Sequence, residues 1–325
     1  MSKKLKPNKG FSLIEISIVI LIIAILVYGI STGIDLYKDA KISTAKNLTT
    51  KSPVSRISEL SLWLEASDSQ KIECYGATKT CDNNDKIKIW FDINPTTIDK
   101  INVGRNSNGN STPTYVEDGI NGLPAINFEQ NVDSNYFQYL SNKEVTNPSP
   151  PPIILNQTNY TMIAVWRPIK KSSYSSTDPA WPQNLISQGR TLSISCSSGC
   201  NISGSFFYRP SNNIGFWGYY NGWGANIVKR ESVANASIMI IEPSGSANSK
   251  VSLYNNSLTA SSGTFAKTLI GTCEFTLGVF ACSKRIYTSY HGLISEVIVF
   301  NRAITNFEAK NIMQYLSQKW SIPLE

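Results

Sequence analysis

The chain has 325 residues, a formal charge of +7 and a pI near 9.0, and 41% of its residues are hydrophobic. This length suffices for one large all-β domain with an added helix. Four of the basic residues lie in the first ten positions: Lys3, Lys4, Lys6 and Lys9. Without these ten positions, the formal net charge of the chain falls from +7 to +3. No Lys- or Arg-rich run follows, which argues against a nucleic-acid-binding protein.

An apolar stretch from Phe11 to Ile30 follows this basic leader and contains one charged residue, Glu15. As a helix it would reach roughly 30 Å, the thickness of the hydrocarbon layer of a bilayer. Basic residues before such a stretch stay on the cytoplasmic side, so the bulk of the chain is expected to face outward. A carboxylate inside a membrane helix costs roughly 2.5–3.5 kcal/mol, so Glu15 needs a partner and is expected to be functional.

The segment Lys9-Gly10-Phe11-Ser12-Leu13-Ile14-Glu15 resembles the class III signal of type IV pilins and of the pseudopilins of type II secretion. The resemblance implies that a prepilin peptidase cuts between Gly10 and Phe11 and that the new amino terminus is methylated. It also implies that Glu15 meets the terminal amine of a neighbouring pilin or pseudopilin subunit. Both the peptidase and the inner membrane are then partners, and no cofactor is implied.

Two other interpretations of this stretch stay open, an ordinary signal peptide and an uncleaved membrane anchor. An ordinary signal has an apolar core of 7–15 residues that ends at an A-x-A-like cleavage site. Here the apolar run is longer, Glu15 interrupts it near its start, and no A-x-A pattern closes it. The pattern therefore favours the pilin-like signal.

The apolar and small residues continue at helical spacing after Ile30, and no proline occurs before Pro53. We predict a leader over 1–10, one helix over 11–48 and a linker over 49–58. Many major pilins have a proline inside this helix. Its absence here favours a minor pilin or a pseudopilin.

Six cysteines form three closely spaced pairs: Cys74 and Cys81, Cys196 and Cys200, and Cys273 and Cys282. Even pairing at short spacing in a chain sent outward predicts three local disulfides in an oxidising compartment, with other connectivities and free thiols as alternatives. A metal site is disfavoured, because the spacings are not C-x2-C and His291 is the one histidine.

From about residue 59 the sequence changes to short strand-like runs separated by turn residues, with no helices between them. We predict strands at 60–66, 87–93, 124–129, 160–167, 206–210, 236–242, 251–256 and 291–301. One helix is predicted near the end, where Thr305 and Glu308 have the spacing of a capping box. Four residues of this helix are expected to face a core: Phe307, Ile312, Leu316 and Trp320.

Five segments carry a resemblance to the concanavalin A-like (laminin-G-like) jelly roll. They are LSLWLEASD (60–68), IKIWFDIN (87–94), PTYVEDGINGLPAINFE (113–129), YTMIAVWRP (160–168) and the closing GLISEVIVFNRAITNFEAKNIMQYLSQKW (292–320). The resemblance implies a mainly β fold over 59–325 in which the first and last strands pair and the closing helix packs outside the sandwich. This fold hosts lectins, hydrolases and spacers alike, so it does not identify an activity.

The acidic residues do not predict an enzyme. Glycosidases need two carboxylates at a set separation, and no E-x-D-x-x-E-like cluster occurs. Glu296 stands alone in its strand, and Glu65 and Asp68 have the pattern of a strand end and a turn. A catalytic triad would depend on His291 alone.

Two features are candidates for ligand binding. The stretch GFWGYYNGWG (215–224) contains several aromatic residues among glycines. Aromatic rings that are exposed can stack on sugars or anchor protein partners. The candidate ligand-binding residues are Trp217, Tyr219, Tyr220 and Trp223. The alternative is a hairpin around Asn221-Gly222 whose rings pack across the strands. Asp82 and Asp85 are a weak calcium candidate that lacks EF-hand spacing, with a solvated turn as the alternative.

These patterns together predict a minor pilin or pseudopilin. The precursor would cross the inner membrane once with its sandwich in the periplasm, and would then enter a pilus or pseudopilus or reach the cell surface. The sandwich would serve adhesion to a glycan or surface ligand, or initiate assembly. The alternative is a membrane-anchored, lectin-like module that never polymerises.

Overall fold

A computed structural model describes residues 12–76, 80–131, 136–146, 159–169, 183–188, 205–209, 213–217, 222–226, 233–245, 248–266, 274–280 and 289–325. Its helices are α1 (Leu13–Thr50), α2 (Lys143–Thr146) and α3 (Asn306–Trp320), with two 3-10 turns at Val54–Arg56 and Ser69–Lys71. The chain divides into two compact units, Met1–Thr44 and Ala45–Glu325. The last six residues of α1 therefore belong to the second unit.

The larger unit contains two antiparallel sheets. The first has eight strands in the order β17-β16-β15-β10-β19-β6-β5, with β1 paired to β19. Their bounds are β1 (Leu60–Glu65), β5 (Thr114–Ile120), β6 (Leu123–Phe128), β10 (Tyr160–Pro168), β15 (Asn235–Ser244), β16 (Asn248–Asn255), β17 (Ser261–Ala266) and β19 (Gly292–Phe300).

The second sheet has nine strands in the order β14-β13-β12-β11-β18-β9-β4-β3-β2. Their bounds are β2 (Ile72–Cys74), β3 (Ile87–Trp90), β4 (Val103–Gly104), β9 (Leu140–Ser141), β11 (Gln183–Gln188), β12 (Ser205–Arg209), β13 (Asn213–Trp217), β14 (Gly222–Asn226) and β18 (Phe275–Leu277). A small pair, β7 (Gln130–Asn131) and β8 (Tyr136–Phe137), lies outside both sheets. A mainly β sandwich with a long amino-terminal helix and a carboxy-terminal helix is confirmed.

The last strand, β19, organises the first sheet. It lies between β10 and β1, so the first and last strands of the sandwich are neighbours. All nine of its residues are buried, which matches its nearly continuous apolar sequence. Ile294, Val297 and Val299 join the core between the sheets. The opposite face of the strand carries Glu296, which Tyr315 and Trp320 of α3 contact.

Each of the eight predicted strands is present, and its start lies within three residues of the predicted one. Helix α1 runs two residues beyond the predicted end at 48 and ends at Thr50. The segment predicted as a linker, 49–58, contains Val54 and Ile57, and both side chains are buried.

Helix α3 begins with the predicted capping box: Thr305 Oγ1 accepts from Glu308 N at 3.2 Å, and Glu308 Oε2 accepts from Thr305 N at 2.8 Å. Ile312, Leu316 and Trp320 are buried, as predicted. The prediction for Phe307 was wrong, because its side chain is 74% exposed. At 3.6 residues per turn Phe307 lies about 140° around the helix from Ile312, so it falls outside the apolar stripe.

The Glu308 carboxylate of the capping box also forms an ion pair with Arg302, so its charge is expected to stabilise the fold in a pH-dependent way. A hydrogen bond from Arg302, 2.5 Å from Oε1, holds the pKa of Glu308 below its ordinary value of 4.5, with the Thr305 donors adding to the effect. A lowered folded pKa adds stability above pH 4.5 that is lost as the pH falls through the folded pKa. Glu308→Gln removes the charge that pairs with Arg302, so it is expected to lower the free energy of unfolding at pH 7 by about 0.5 kcal/mol and to differ less from wild type near pH 3.

Denaturant unfolding of the full chain in detergent, followed by tryptophan fluorescence at both pH values, measures this difference. Asp118→Asn is the matched control, because Asp118 is exposed and outside the capping box. An unchanged difference between Glu308→Gln and wild type across this pH range would contradict the assignment.

Candidate functional site

Helix α1 carries most of the exposed large apolar side chains of the described residues. Its side chains from Leu13 to Ile30 are all exposed. Hydroxyl groups in this stretch and directly after it donate to the helix's own carbonyls, as Ser17 Oγ does to Ile14 O at 2.8 Å and Ser31 Oγ to Tyr28 O at 3.0 Å. The hydroxyl groups of these two serines therefore have hydrogen-bond partners without water. Among the described residues, one helix is long and apolar enough to cross a membrane, and it is this one.

Glu15 is the third residue of α1, and its carboxylate turns back to the helix start. Ser12 N donates to Glu15 Oε2 at 2.8 Å, which is one half of a capping box formed by the S-x-x-E spacing. A carboxylate near the amino end of a helix is also favoured by the helix dipole. In the part of the chain that the structure describes, this is the hydrogen bond that Glu15 makes. The predicted processing residues Gly10 and Phe11 lie outside the described residues.

One predicted disulfide is confirmed. Cys74, in β2, and Cys81 are bonded, with their Cα atoms 5.5 Å apart and a sequence separation of seven residues. Both side chains are buried in the core cluster between the sheets, so the bond fixes the loop after β2 to the core. The other two predicted pairs lie outside the described residues: Cys196 with Cys200, and Cys273 with Cys282.

The acidic loop after this disulfide is organised as a turn. Asp82 N donates to Asp85 Oδ2 at 2.9 Å, and Asp85 N donates to Asp82 O at 3.0 Å. The next side chain is also engaged, because Asn83 Oδ1 accepts from Glu117 N. Over the described ranges, no group of three or more His, Cys, Asp or Glu side chains is placed to hold a metal ion. The geometry favours the turn interpretation of Asp82 and Asp85.

The aromatic stretch forms an antiparallel hairpin between β13 and β14, at the edge of the nine-stranded sheet. Trp217 is opposite Gly222, and Phe216 is opposite Trp223. Neighbouring strand positions alternate between the two faces of a sheet, so positions 217 and 223 belong to opposite faces. The other two candidates, Tyr219 and Tyr220, lie outside the described residues.

The structure brings together two carboxylates, Glu65 and Glu296, that are 231 positions apart in the sequence. They are paired directly opposite each other across strands β1 and β19. Lys319 Nζ lies between them, 2.8 Å from Glu65 Oε1 and 3.0 Å from Glu296 Oε2. We call these three residues the charge cluster. The exposed fractions of Glu65, Glu296 and Lys319 are 1%, 1% and 3%. Sequence reasoning missed the pairing, because strand register over such a separation has no local signal.

Donors from several elements satisfy the charge cluster. Glu296 accepts from Trp63 Nε1 at 2.8 Å, Tyr315 OH at 2.8 Å and Trp320 Nε1 at 2.6 Å. Glu65 accepts from Ser67 N at 2.7 Å. Burial, and then the Glu296 charge, raise the pKa of Tyr315 well above its ordinary value, so the phenol stays a donor.

This arrangement does not suit glycoside hydrolysis. The two carboxylates of a glycosidase face a sugar and a water molecule, whereas these are buried beneath α3 and share one ammonium. His291 Nδ1 accepts from Gln130 N at 3.3 Å, so this nitrogen is already engaged in a hydrogen bond within the fold. The geometry assigns Glu65, Glu296 and Lys319 to the packing of α3 on the first sheet.

A comparison with protein families finds one match, the prokaryotic N-terminal methylation motif, over residues 5–30. This confirms the class III signal. The motif and the apolar helix fit a precursor anchored in the inner membrane, processed by a prepilin peptidase and assembled with other pilin subunits. No curated protein matches the chain significantly.

Three solved structures illustrate what the chain resembles. The first is Trypanosoma rangeli sialidase bound to 2,3-difluoro-KDN, with a TM-score of 0.42 and 12% sequence identity. The match covers 83% of this chain and 34% of the sialidase chain. A mutant of that sialidase displaying trans-sialidase activity has a TM-score of 0.43 and 9% sequence identity. That match covers 89% of this chain and 39% of the mutant sialidase chain. The third is domain 4 of AbnA, an extracellular arabinanase from Geobacillus stearothermophilus, in complex with arabinotriose. It has a TM-score of 0.40 and 12% sequence identity, and the match covers 79% of this chain and 98% of domain 4.

This chain spans little more than a third of the length of the two sialidases. At these TM-scores the likeness carries no argument about activity. The strand pairing itself defines the sandwich.

The buried disulfide generates a prediction. Replacing both cysteines, Cys74→Ala with Cys81→Ala, is expected to lower the free energy of unfolding by about 2–3 kcal/mol, because the closed loop restricts the unfolded chain. Chemical denaturation of the full chain in detergent measures this loss. Thr80→Ala, an exposed substitution in the same loop, should leave the stability unchanged. A double variant as stable as Thr80→Ala would contradict the structural role.

Proposed function

We propose that this chain is a minor type IV pilin or a pseudopilin, a subunit whose α1 packs into a pilus or secretion filament and whose sandwich is displayed on it. The observation that carries the proposal is the methylation motif over residues 5–30, joined to an exposed apolar helix with a carboxylate near its start. The basic leader orients the precursor with its sandwich in the periplasm. A prepilin peptidase then cuts between Gly10 and Phe11, and Phe11 is methylated.

Assembly depends on how Glu15 is compensated. One backbone N–H reaches its carboxylate in the isolated chain. A carboxylate in an apolar bundle needs a charged partner, and the new amine at Phe11 of a neighbouring subunit supplies one. Each subunit thus offers one amine and one carboxylate, which favours a repeating filament over a plain anchor.

The sandwich is the displayed part, and its size favours a tip or low-copy position, with adhesion or initiation of assembly as its role. Its ligand contacts are proposed at the aromatic hairpin, at Trp217, Tyr219, Tyr220 and Trp223, with a glycan or surface ligand as the partner. We propose no enzymatic activity, since the paired carboxylates are buried beneath α3.

The Glu15 proposal is tested by substitution. Glu15→Gln keeps the shape and the hydrogen-bond acceptor but removes the charge that pairs with an amine. We expect cleavage of the leader to continue and recovery of the protein in sheared filaments to fall at least about tenfold, because the buried amine then lacks its counter-charge. Filament fractions and membrane fractions from the producing cells are compared by immunoblotting.

The matched control is Asp35→Asn, because Asp35 is an exposed carboxylate farther along the same helix. It should assemble normally. If Glu15→Gln assembles as well as Asp35→Asn, the proposal of a filament subunit fails. A membrane-anchored, lectin-like module would tolerate both substitutions.

Ligand binding at the hairpin is tested on a glycan array with the full chain in detergent. Trp217→Ala and Trp223→Ala occupy opposite faces of the hairpin, so a stacking site on one face should lose at least about tenfold affinity with only one of them. Phe307→Ala is the control, an exposed ring at the start of α3. Equal binding by all three variants would contradict a glycan site here.

A further inference from the structure

The charge cluster holds an amine and two carboxylates in contact, away from the protein surface. Lys319 Nζ lies 2.8 Å from Glu65 Oε1 and 3.0 Å from Glu296 Oε2, and each of the three residues is at most 3% exposed. Transfer of one proton from the ammonium to a carboxylate turns two buried charges into a neutral amine and a neutral acid. This transfer removes the cost of keeping both charges out of water, and it creates a nucleophile beside a carboxyl group.

Glu296 is surrounded as the electrophile of such a pair would be. Its Oε1 accepts from Trp63 Nε1 and from Tyr315 OH, both at 2.8 Å. Two neutral donors aimed at one oxygen are the arrangement that stabilises an oxyanion. The other oxygen, Oε2, faces Lys319 and accepts from Trp320 Nε1 at 2.6 Å. One oxygen is therefore placed to hold a developing negative charge and the other is placed to leave.

Glu65 is placed to take and pass on protons. Its Oε1 is the nearer of the two carboxylate oxygens beside the Lys319 ammonium, and Ser67 N holds this oxygen at 2.7 Å. Its Oε2 receives one long hydrogen bond among the described residues, from Asp68 N at 3.3 Å. A positioned base must lie within hydrogen-bond reach of the proton that it removes, and Glu65 meets this condition.

We propose that Lys319 and Glu296 condense to an amide, which cross-links α3 to β19. Glu65 takes a proton from the ammonium, and Lys319 Nζ attacks Cδ of Glu296. The negative charge that develops on Oε1 lies between the donors of Trp63 and Tyr315. The C–N bond forms and the bond from Cδ to Oε2 breaks. Of the three ammonium protons, one stays on the amide nitrogen and two leave with Oε2 as water, passed on by Glu65, which ends as a carboxylate.

Two properties of the charge cluster favour condensation over hydrolysis. Groups that a fold holds in reacting positions behave as if present at roughly 10⁵ M or more, which favours bond formation within the chain. The cluster is also buried, so bulk water does not reach the amide once it has formed. The cross-link keeps α3 on β19 whether or not the chain enters a filament, so the inference does not depend on the proposed filament role.

The intact mass of the full chain, produced without a prepilin peptidase and reduced before measurement, tests the cross-link. We expect a mass below that of the sequence by one water molecule, and a digest in which the Lys319 peptide is joined to the Glu296 peptide. Lys319→Arg keeps the buried positive charge but offers a guanidinium that does not lose its proton, so it should keep the full mass. The matched control is Lys310→Arg, an exposed position of the same helix, which should lose the water as wild type does.

A second variant, Glu65→Gln, tests the base. It leaves one ammonium and one carboxylate in the charge cluster, so the buried charges balance and the variant is expected to fold. Without the base, condensation should be at least about a hundredfold slower, which leaves most of the protein at full mass soon after folding. Glu117→Gln, an exposed carboxylate on β5, is the control and should condense like wild type.

Three results would overturn the proposal. A wild-type chain at full mass would show that the charge cluster remains an ion pair. A loss of water that persists in Lys319→Arg would place the reaction elsewhere in the chain. A cross-link to Glu65 in place of Glu296, or a Glu65→Gln variant that condenses as fast as its control, would contradict the assigned roles. The wild-type digest decides the question even if Lys319→Arg does not fold.

Discussion

A charge withdrawn from water has to be compensated, and this constraint applies both to the apolar helix and to the sandwich. At the start of the helix, Glu15 lies in an apolar stretch and receives one backbone N–H from its own chain. In the sandwich, Glu65 and Glu296 are buried and share Lys319. The sandwich thus satisfies its buried charges internally. In the proposed filament, the apolar helix leaves its carboxylate to be satisfied by a second subunit, and this difference is the physical basis of assembly.

The sandwich is closed where its two ends meet. The first and last strands are neighbours, and α3 covers the face that they share. Residues that are distant in sequence therefore surround one point, as Trp63 and Glu296 do although 233 positions separate them.

Much of this architecture was predictable from local patterns. Alternating apolar runs located eight strands, and the Thr305–Glu308 spacing located the start of α3. Strands of two or three residues, such as Val103–Gly104, were missed because so short a segment has no measurable period. Phe307 was misplaced because an apolar residue in a first turn need not lie on the buried stripe. The Glu65–Glu296 pairing was missed because register between distant strands is set by packing across the sheet.

The central claim is that the chain is made as a prepilin. The intact mass of the protein, produced with and without a prepilin peptidase, tests it most directly. A peptidase-dependent loss of residues 1–10, with one methyl group added to Phe11, is the result that we predict. A full-length mass under both conditions, or a cut after the apolar stretch, would contradict it. The sandwich would then belong to an anchored or secreted binding protein.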